Sequence, residues 1–303
     1  MSLYAVAAGL VLLAAALLGP ASSALARARW VDDAPRAAVA LWQALGTSAV
    51  LSGIGAGLCL AVERYHAGFA GGVSDLVGSL ASGHPLTGLG LPDALGLTLA
   101  ADLVVVLVFL LGSVILRIST TRARHRHLVD LLSLRTHDTG AAVLDHSTAV
   151  AYCVPGIRPR IVISAGALEL LDDTQLEAVV AHERGHAHER HGLVMLPLVC
   201  ISKVFALIPY ARLAPSSVAG LLEMAADDYA ARSQDRGTLA SALVSMATAG
   251  TLPSCTLGLT GGLVTRRVER LLAQRRRPGG ILVGVTGAVL VLLSAPVALL
   301  LAV

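Results

Sequence analysis

Apolar positions run almost unbroken through Leu3–Leu18, Val39–Val62, Leu97–Leu116 and Ile281–Val303. Each run is close to or above the ~20 residues a helix needs to cross a bilayer, so four transmembrane helices are expected. The pattern changes between the third and fourth runs, where residues 118–279 are more polar and long enough for one domain. In that region Ala149–Val154 and Arg160–Ser164 are short β-favouring runs around the turn-forming Pro155-Gly156, which predicts a small hairpin. A helix should follow. Asp172 can cap it with Gln175 as the reciprocal partner, Leu176, Val179 and Val180 repeat at helical spacing, and Gly192 is the expected stop. A second helix is expected from about Ser217 to Arg232.

Composition agrees with the hydropathy pattern. The chain is 55% hydrophobic and 14% charged, with a mean hydropathy of +0.74, far from soluble averages. Arginines then set the orientation. Arg27, Arg29 and Arg36 follow the first run, and Arg117, Arg122, Arg124 and Arg126 follow the third. Arg266, Arg267, Arg270, Arg275, Arg276 and Arg277 precede the fourth, whereas the loop between the second and third holds only Arg64. All three clusters are cytoplasmic if both chain ends are outside. Trp30 and Trp42 would then lie near the inner interface, and Tyr65 and Asp102 near the outer one. The clusters read as topology anchors. No aromatic residues are interleaved with them, which argues against direct nucleic-acid binding. The first run lacks the positive n-region of a cleaved signal peptide. Cys59, Cys153, Cys200 and Cys255 form no CxxC pair and are expected to be reduced.

His182-Glu183-Arg184-Gly185-His186 lies inside the first of the two polar-region helices. Positions i and i+4 share a helical face, so both imidazoles can reach one zinc ion, with Glu183 beside them to hold a water. His188 and His191 are expected to point away with Arg184 as a solvated stripe, at about 100° per residue. Glu223 is the candidate third ligand. Asp227, one turn later, is placed to orient His182 through its other ring nitrogen, and Asp228 is expected at the surface. Residues 192–209 are apolar but contain Lys203, Pro197 and Pro209. A single crossing there would separate Glu223 from His186, and a double crossing needs about 40 residues, so a membrane-hugging or re-entrant hairpin near 192–213 is expected. Lys203 would then snorkel to the interface.

Ala151–Gly156, Arg160–Ser164, Leu176–His186 and Glu223–Asp227, with three spans before and one after, resemble the BlaR/MecR-type membrane zinc peptidases. The resemblance implies a mainly α multi-pass membrane protein with a cytoplasmic-side gluzincin domain. In this reading residues 1–117 hold three spans, 118–279 the peptidase domain and 280–303 the fourth span. It also implies Zn2+ on His182, His186 and Glu223, Glu183 as general base, and a cytosolic protein substrate such as a transcriptional repressor. The strand Arg160–Ser164 would hold that substrate by edge pairing. The antibiotic sensors of that type continue into a penicillin-binding domain. This chain stops at Val303 and has no Ser-x-x-Lys motif. The input is therefore expected through a partner sensor in the membrane or through the bilayer.

Arg267-Val268-Glu269-Arg270-Leu271 resembles an Arg-[Ile/Val]-x-x-Leu stretch that follows ExxxD in related membrane peptidases. There an arginine can stabilise the oxyanion. The plain alternative for Arg267 is a positive-inside anchor. Two other readings of the chain stand beside the first: an HtpX-like quality-control peptidase and a non-catalytic membrane scaffold.

Overall fold

A computed structural model describes residues 2–83, 89–156, 159–249, 257–273 and 279–303. Four of its helical segments are long and apolar enough to cross a membrane, at Leu3–Arg27, Pro35–Tyr65, Leu91–Leu131 and Gly279–Leu301. The first comprises α1 (Leu3–Ala16), a wide turn around Pro20 and α2 (Ser22–Arg27). A short turn over Arg29–Asp32 leads into α3 (Pro35–Val62), whose opening proline has the fixed φ that suits a first helical turn. Next come α4 (Gly68–Ala81) and α5 (Leu91–Leu132), and α12 (Gly279–Leu301) ends the chain.

α3 is the axis of this bundle. Of its apolar stretch 61% is buried within the protein, against 11% for α5 and for α12. Gly57 and Gly96 let α3 and α5 touch backbone to backbone. A Cβ on Gly57 would lie 2.7 Å from the Gly96 carbonyl oxygen, and one on Gly96 would lie 2.5 Å from that of Gly57. The Leu3 N–H donates to the Glu63 carboxylate at 2.9 Å, and the Phe69 N–H donates to the Val303 carbonyl at 3.2 Å. Both chain ends and the α3–α4 turn therefore share one end of the bundle.

The other end carries the polar domain. α5 has 42 residues, roughly 63 Å at 1.5 Å per residue, about twice the hydrocarbon thickness of a bilayer. The boundary expected at residue 117 thus falls inside one continuous helix that leads straight into the sheet. Asp102 is on an exposed face in the first third of that helix.

The sheet has the order β1 (Ser133–Thr136), β2 (Ala142–Leu144), β4 (Arg160–Ser164), β3 (Ala151–Val154). β3 and β4 form the expected hairpin, while β2 joins β4 in parallel. β4 is therefore interior, with both of its edges paired. The expectation that Arg160–Ser164 holds a substrate by edge pairing is corrected, because β3 is the edge strand.

Short α6 (Ala165–Leu170) precedes α7 (Asp173–His188), which opens with the expected Asp172–Gln175 capping box. α7 ends four residues before Gly192. Arg190 takes a left-handed conformation (φ 51°) and turns the chain into α8 (His191–Val204). α8 packs against α3, α5 and α9 (Pro209–Ala230). Lys203 is exposed at its last turn, so no buried charge needs relief there. α10 (Arg236–Thr248) and α11 (Leu257–Leu272) close the domain.

Two apolar clusters fix the site's position. Trp42 is buried against Tyr210, with ring centroids 5.8 Å apart and the Tyr210 hydroxyl donating to the Trp42 carbonyl at 3.2 Å. Trp42 therefore joins α3 to α9 and does not face lipid as a belt residue. Val143, Ile163, Leu176 and Val180 seal α7 onto the sheet. Cys59, Cys153 and Cys200 are free thiols, and Cys255 lies outside the described residues.

Candidate metal centre

α7 presents His182 and His186 on one face, as their spacing requires. Gly185 faces α9 between them. A Cβ there would lie 3.2 Å from the Ala226 Cα and 3.1 Å from the Tyr229 Cβ. Its absence lets α9 come close enough for Glu223 to meet both imidazoles. His182 Nε2 is 3.1 Å from His186 Nε2 and 3.4 Å from Glu223 Oε2. His186 Nε2 is 3.4 Å from Glu223 Oε1.

A tetrahedral zinc with ligand bonds of about 2.0–2.1 Å separates its donors by roughly 3.3–3.4 Å. The three residues thus fit zinc in donor type, number and spacing, and they form a group able to hold a metal ion.

Asp227 is fully buried one turn beyond Glu223, with Oδ1 3.0 Å from His182 Nδ1 but off the line of an ideal hydrogen bond. Arg267 comes from α11, buried, and donates to both Asp227 oxygens at 2.7 and 2.8 Å. Its Nη1 is 3.0 Å from Glu223 Oε2. It is an interior residue of the centre and not an interfacial anchor. Burial opposes ionisation of Asp227, yet the Arg267 guanidinium pushes its carboxyl down to about 2. Burial likewise works against Glu223, but His182, His186 and Arg267 hold it well below its ordinary value. Burial disfavours a charged His182, and Asp227 and Glu223 outweigh it, raising the metal-free imidazole to about 9. Burial raises Glu183, partly offset by the two imidazoles.

Around the centre, tertiary contacts add partners that a helical wheel or a charge count could not see. His191 is buried and points back, with Nδ1 2.8 Å from His186 Nδ1 and Nε2 3.2 Å from Glu189 Oε2. The left-handed Arg190 breaks the wheel. His188 and Arg184 are exposed as expected. Asp228 is half-buried rather than freely solvated: it accepts from Arg270 at 2.7 and 2.8 Å. Arg266 pairs with Asp32, and Arg36 with Glu189 at 2.5 Å. Several arginines expected to be anchors thus tie the membrane helices to the site, while Arg275, Arg276 and Arg277 lie outside the described residues. His191 bridges His186 Nδ1 and the Glu189 carboxylate; with His186 Nε2 turned to the metal group, His186 would donate from Nδ1 to a neutral His191, which in turn would donate to Glu189. His186 is then oriented through a chain that ends at the start of α3. The polar run Glu189-Arg190-His191-Gly192 was the available sequence sign of a break in the helix.

An open cleft of about 890 Å³ lies against this group, walled by Glu183, His186 and Glu223 on one side and by β3 on the other.

The helical frame with its membrane-length helices thus places a His/His/Glu group able to hold a metal beside a strand-edged cleft. Residues 120–250 match the profile of Peptidase family M48, which supports a metallopeptidase domain in the polar region. Searches of curated proteins and of solved structures returned no match.

Proposed function

We propose that this chain is a membrane-embedded zinc metalloendopeptidase that cleaves a cytosolic or juxtamembrane protein in regulatory signalling. The observation that carries the reading is the convergence of His182, His186 and Glu223 at zinc-ligand spacing beside Glu183 in an open cleft. His182, His186 and Glu223 would hold a zinc ion, which when bound would supply Lewis acidity toward a peptide carbonyl. Glu183 takes the proton of the attacking water on its carboxylate and returns it to the leaving nitrogen, a task its raised pKa suits. β3 holds the substrate backbone in extended form along the cleft. Arg267 is a positioning residue: its guanidinium is engaged by Asp227 and Glu223, which leaves it poorly placed for an oxyanion.

The site lies at the end of the bundle opposite both termini. The arginine distribution supports a cytoplasmic position for that end, with N- and C-termini outside. The HtpX-like quality-control reading calls for two spans between the motifs. Between Gly192 and Leu222 the chain offers one 14-residue apolar helix and the first half of α9, which favours regulatory cleavage, with a transcriptional repressor as the expected substrate and a partner sensor as the input.

Mapping new protein N-termini in cells carrying wild type or Glu183→Gln tests this. A cytosolic product that needs Glu183 supports the proposal. Products limited to misfolded membrane proteins favour quality control, and products from the outer side overturn the topology. If wild type and variant leave the same products, the non-catalytic scaffold is favoured.

A further inference from the structure

We propose that the cleft selects substrates with acidic side chains beside the scissile bond, and that Arg122 is the main residue reading them. This deepens the peptidase reading and rests on it. The cleft continues into a second hollow of about 660 Å³ on the far side of Pro159, Ala187 and His188. Among the residues lining both, the only carboxylates are Glu183 and Glu223, already engaged in the metal group. The cations are many: Arg122 and Arg190 in the larger space, Arg160 and Arg184 in the smaller.

They are not equivalent. Arg160 is neutralised by Asp130. Arg184 donates to the Thr139 carbonyl at 2.6 Å and keeps its charge. Arg122 and Arg190 have no carboxylate in ion-pair range among the described residues. Arg122 is half-buried, projecting from α5 across the mouth of the cleft to the start of α8. A Cβ on Gly192 would lie 2.5 Å from its Nη2, so the glycine provides the space the guanidinium fills. Its charge reaches Cys153 on β3, where it opposes the burial that raises the thiol. Arg190 holds a left-handed backbone that glycine or asparagine would adopt with less strain, at a point where the chain borders the cleft. A half-desolvated guanidinium without a partner is poorly satisfied, and a carboxylate can satisfy it in bidentate form. A peptide lying along β3 would turn every second side chain to the same wall.

The test uses the full chain in detergent micelles and two labelled decapeptides, one with a central Asp-Glu pair and its Asn-Gln twin. Binding is read by fluorescence anisotropy on Glu183→Gln protein, and cleavage is read on protein with Glu183 intact. The acidic peptide should bind and be cleaved about tenfold better than its twin. Arg122→Ala should remove most of that preference while leaving the twin within about twofold, and Arg122→Lys should restore only part of it. Equal binding of the two peptides overturns the proposal, as does a loss in Arg122→Ala that affects both alike, the behaviour of an anchor. If neither peptide is cleaved but the acidic one binds better through Arg122, the acidic-peptide preference stands and its place beside a scissile bond falls with the peptidase reading.

Discussion

On α5 the apolar side chains face outward, with Val108 65% and Phe109 71% exposed, whereas in the metal centre the polar ones are sealed inside, with Asp227 0% and His182 6% exposed. The two regions are inverted because their surroundings differ. A bundle face that meets lipid needs no apolar partner from the protein, and its backbone polar groups are satisfied within each helix. The centre has no such freedom. Each buried charge requires an opposite charge held at a fixed distance, so α7, α9 and α11 must arrive together. The bundle tolerates exchange among apolar residues, and the centre tolerates almost none.

The largest expected effect is Asp227→Ala. It leaves the Arg267 guanidinium buried without its main partner and frees His182, at a cost of about 3–5 kcal/mol in stability and roughly 10–100-fold in zinc affinity. Thermal melting in detergent and zinc titration read the two parts. Unchanged values would mean the centre is not sealed as described. Phe109→Arg is the counterpart in the bundle and should cost about 2.5–3.5 kcal/mol in an insertion assay, with Phe109→Leu near neutral. If the arginine inserts as readily as leucine, that face does not meet lipid.

Gly185→Ala is a smaller intrusion. The added methyl meets the Ala226 backbone, so α9 has to move, at about 1–3 kcal/mol. Zinc affinity should fall with stability, because Glu223 moves with α9. His191→Phe should lower stability by about 1–3 kcal/mol, because it leaves His186 Nδ1 and Glu189 without their partner, and should weaken zinc by about tenfold through the loss of the group that orients His186. A variant that binds zinc like wild type would remove His191 from the centre.

These differences also decide what the sequence discloses. Unbroken apolar runs mark the existence of all four membrane-length helices, since length and hydropathy are local properties, but not their ends: the first helix runs on to Arg27 and the third to Leu131. The Asp172–Gln175 box and the spacings of His182, His186, Glu223 and Asp227 are local too, each read from one helix at a time. Local reading fails where elements meet. Arg267 could be named as a candidate, but its partner lies 40 residues away. His191 looked solvated because Arg190 does not continue the helix. β1 and β2 are too short to show a pattern, so β4 could not be recognised as an interior strand. Arg266 and Arg270 looked like anchors because a charge count cannot see Asp32 or Asp228 across the fold.

The central claim is that His182, His186 and Glu223 hold one metal ion beside Glu183. The most direct test is the zinc content of the purified full chain by mass spectrometry, compared for wild type, Glu183→Gln and Glu223→Ala. The account predicts about one zinc per chain in wild type, the same in Glu183→Gln and a marked loss in Glu223→Ala. Wild-type zinc content in Glu223→Ala would contradict it and place the third ligand elsewhere.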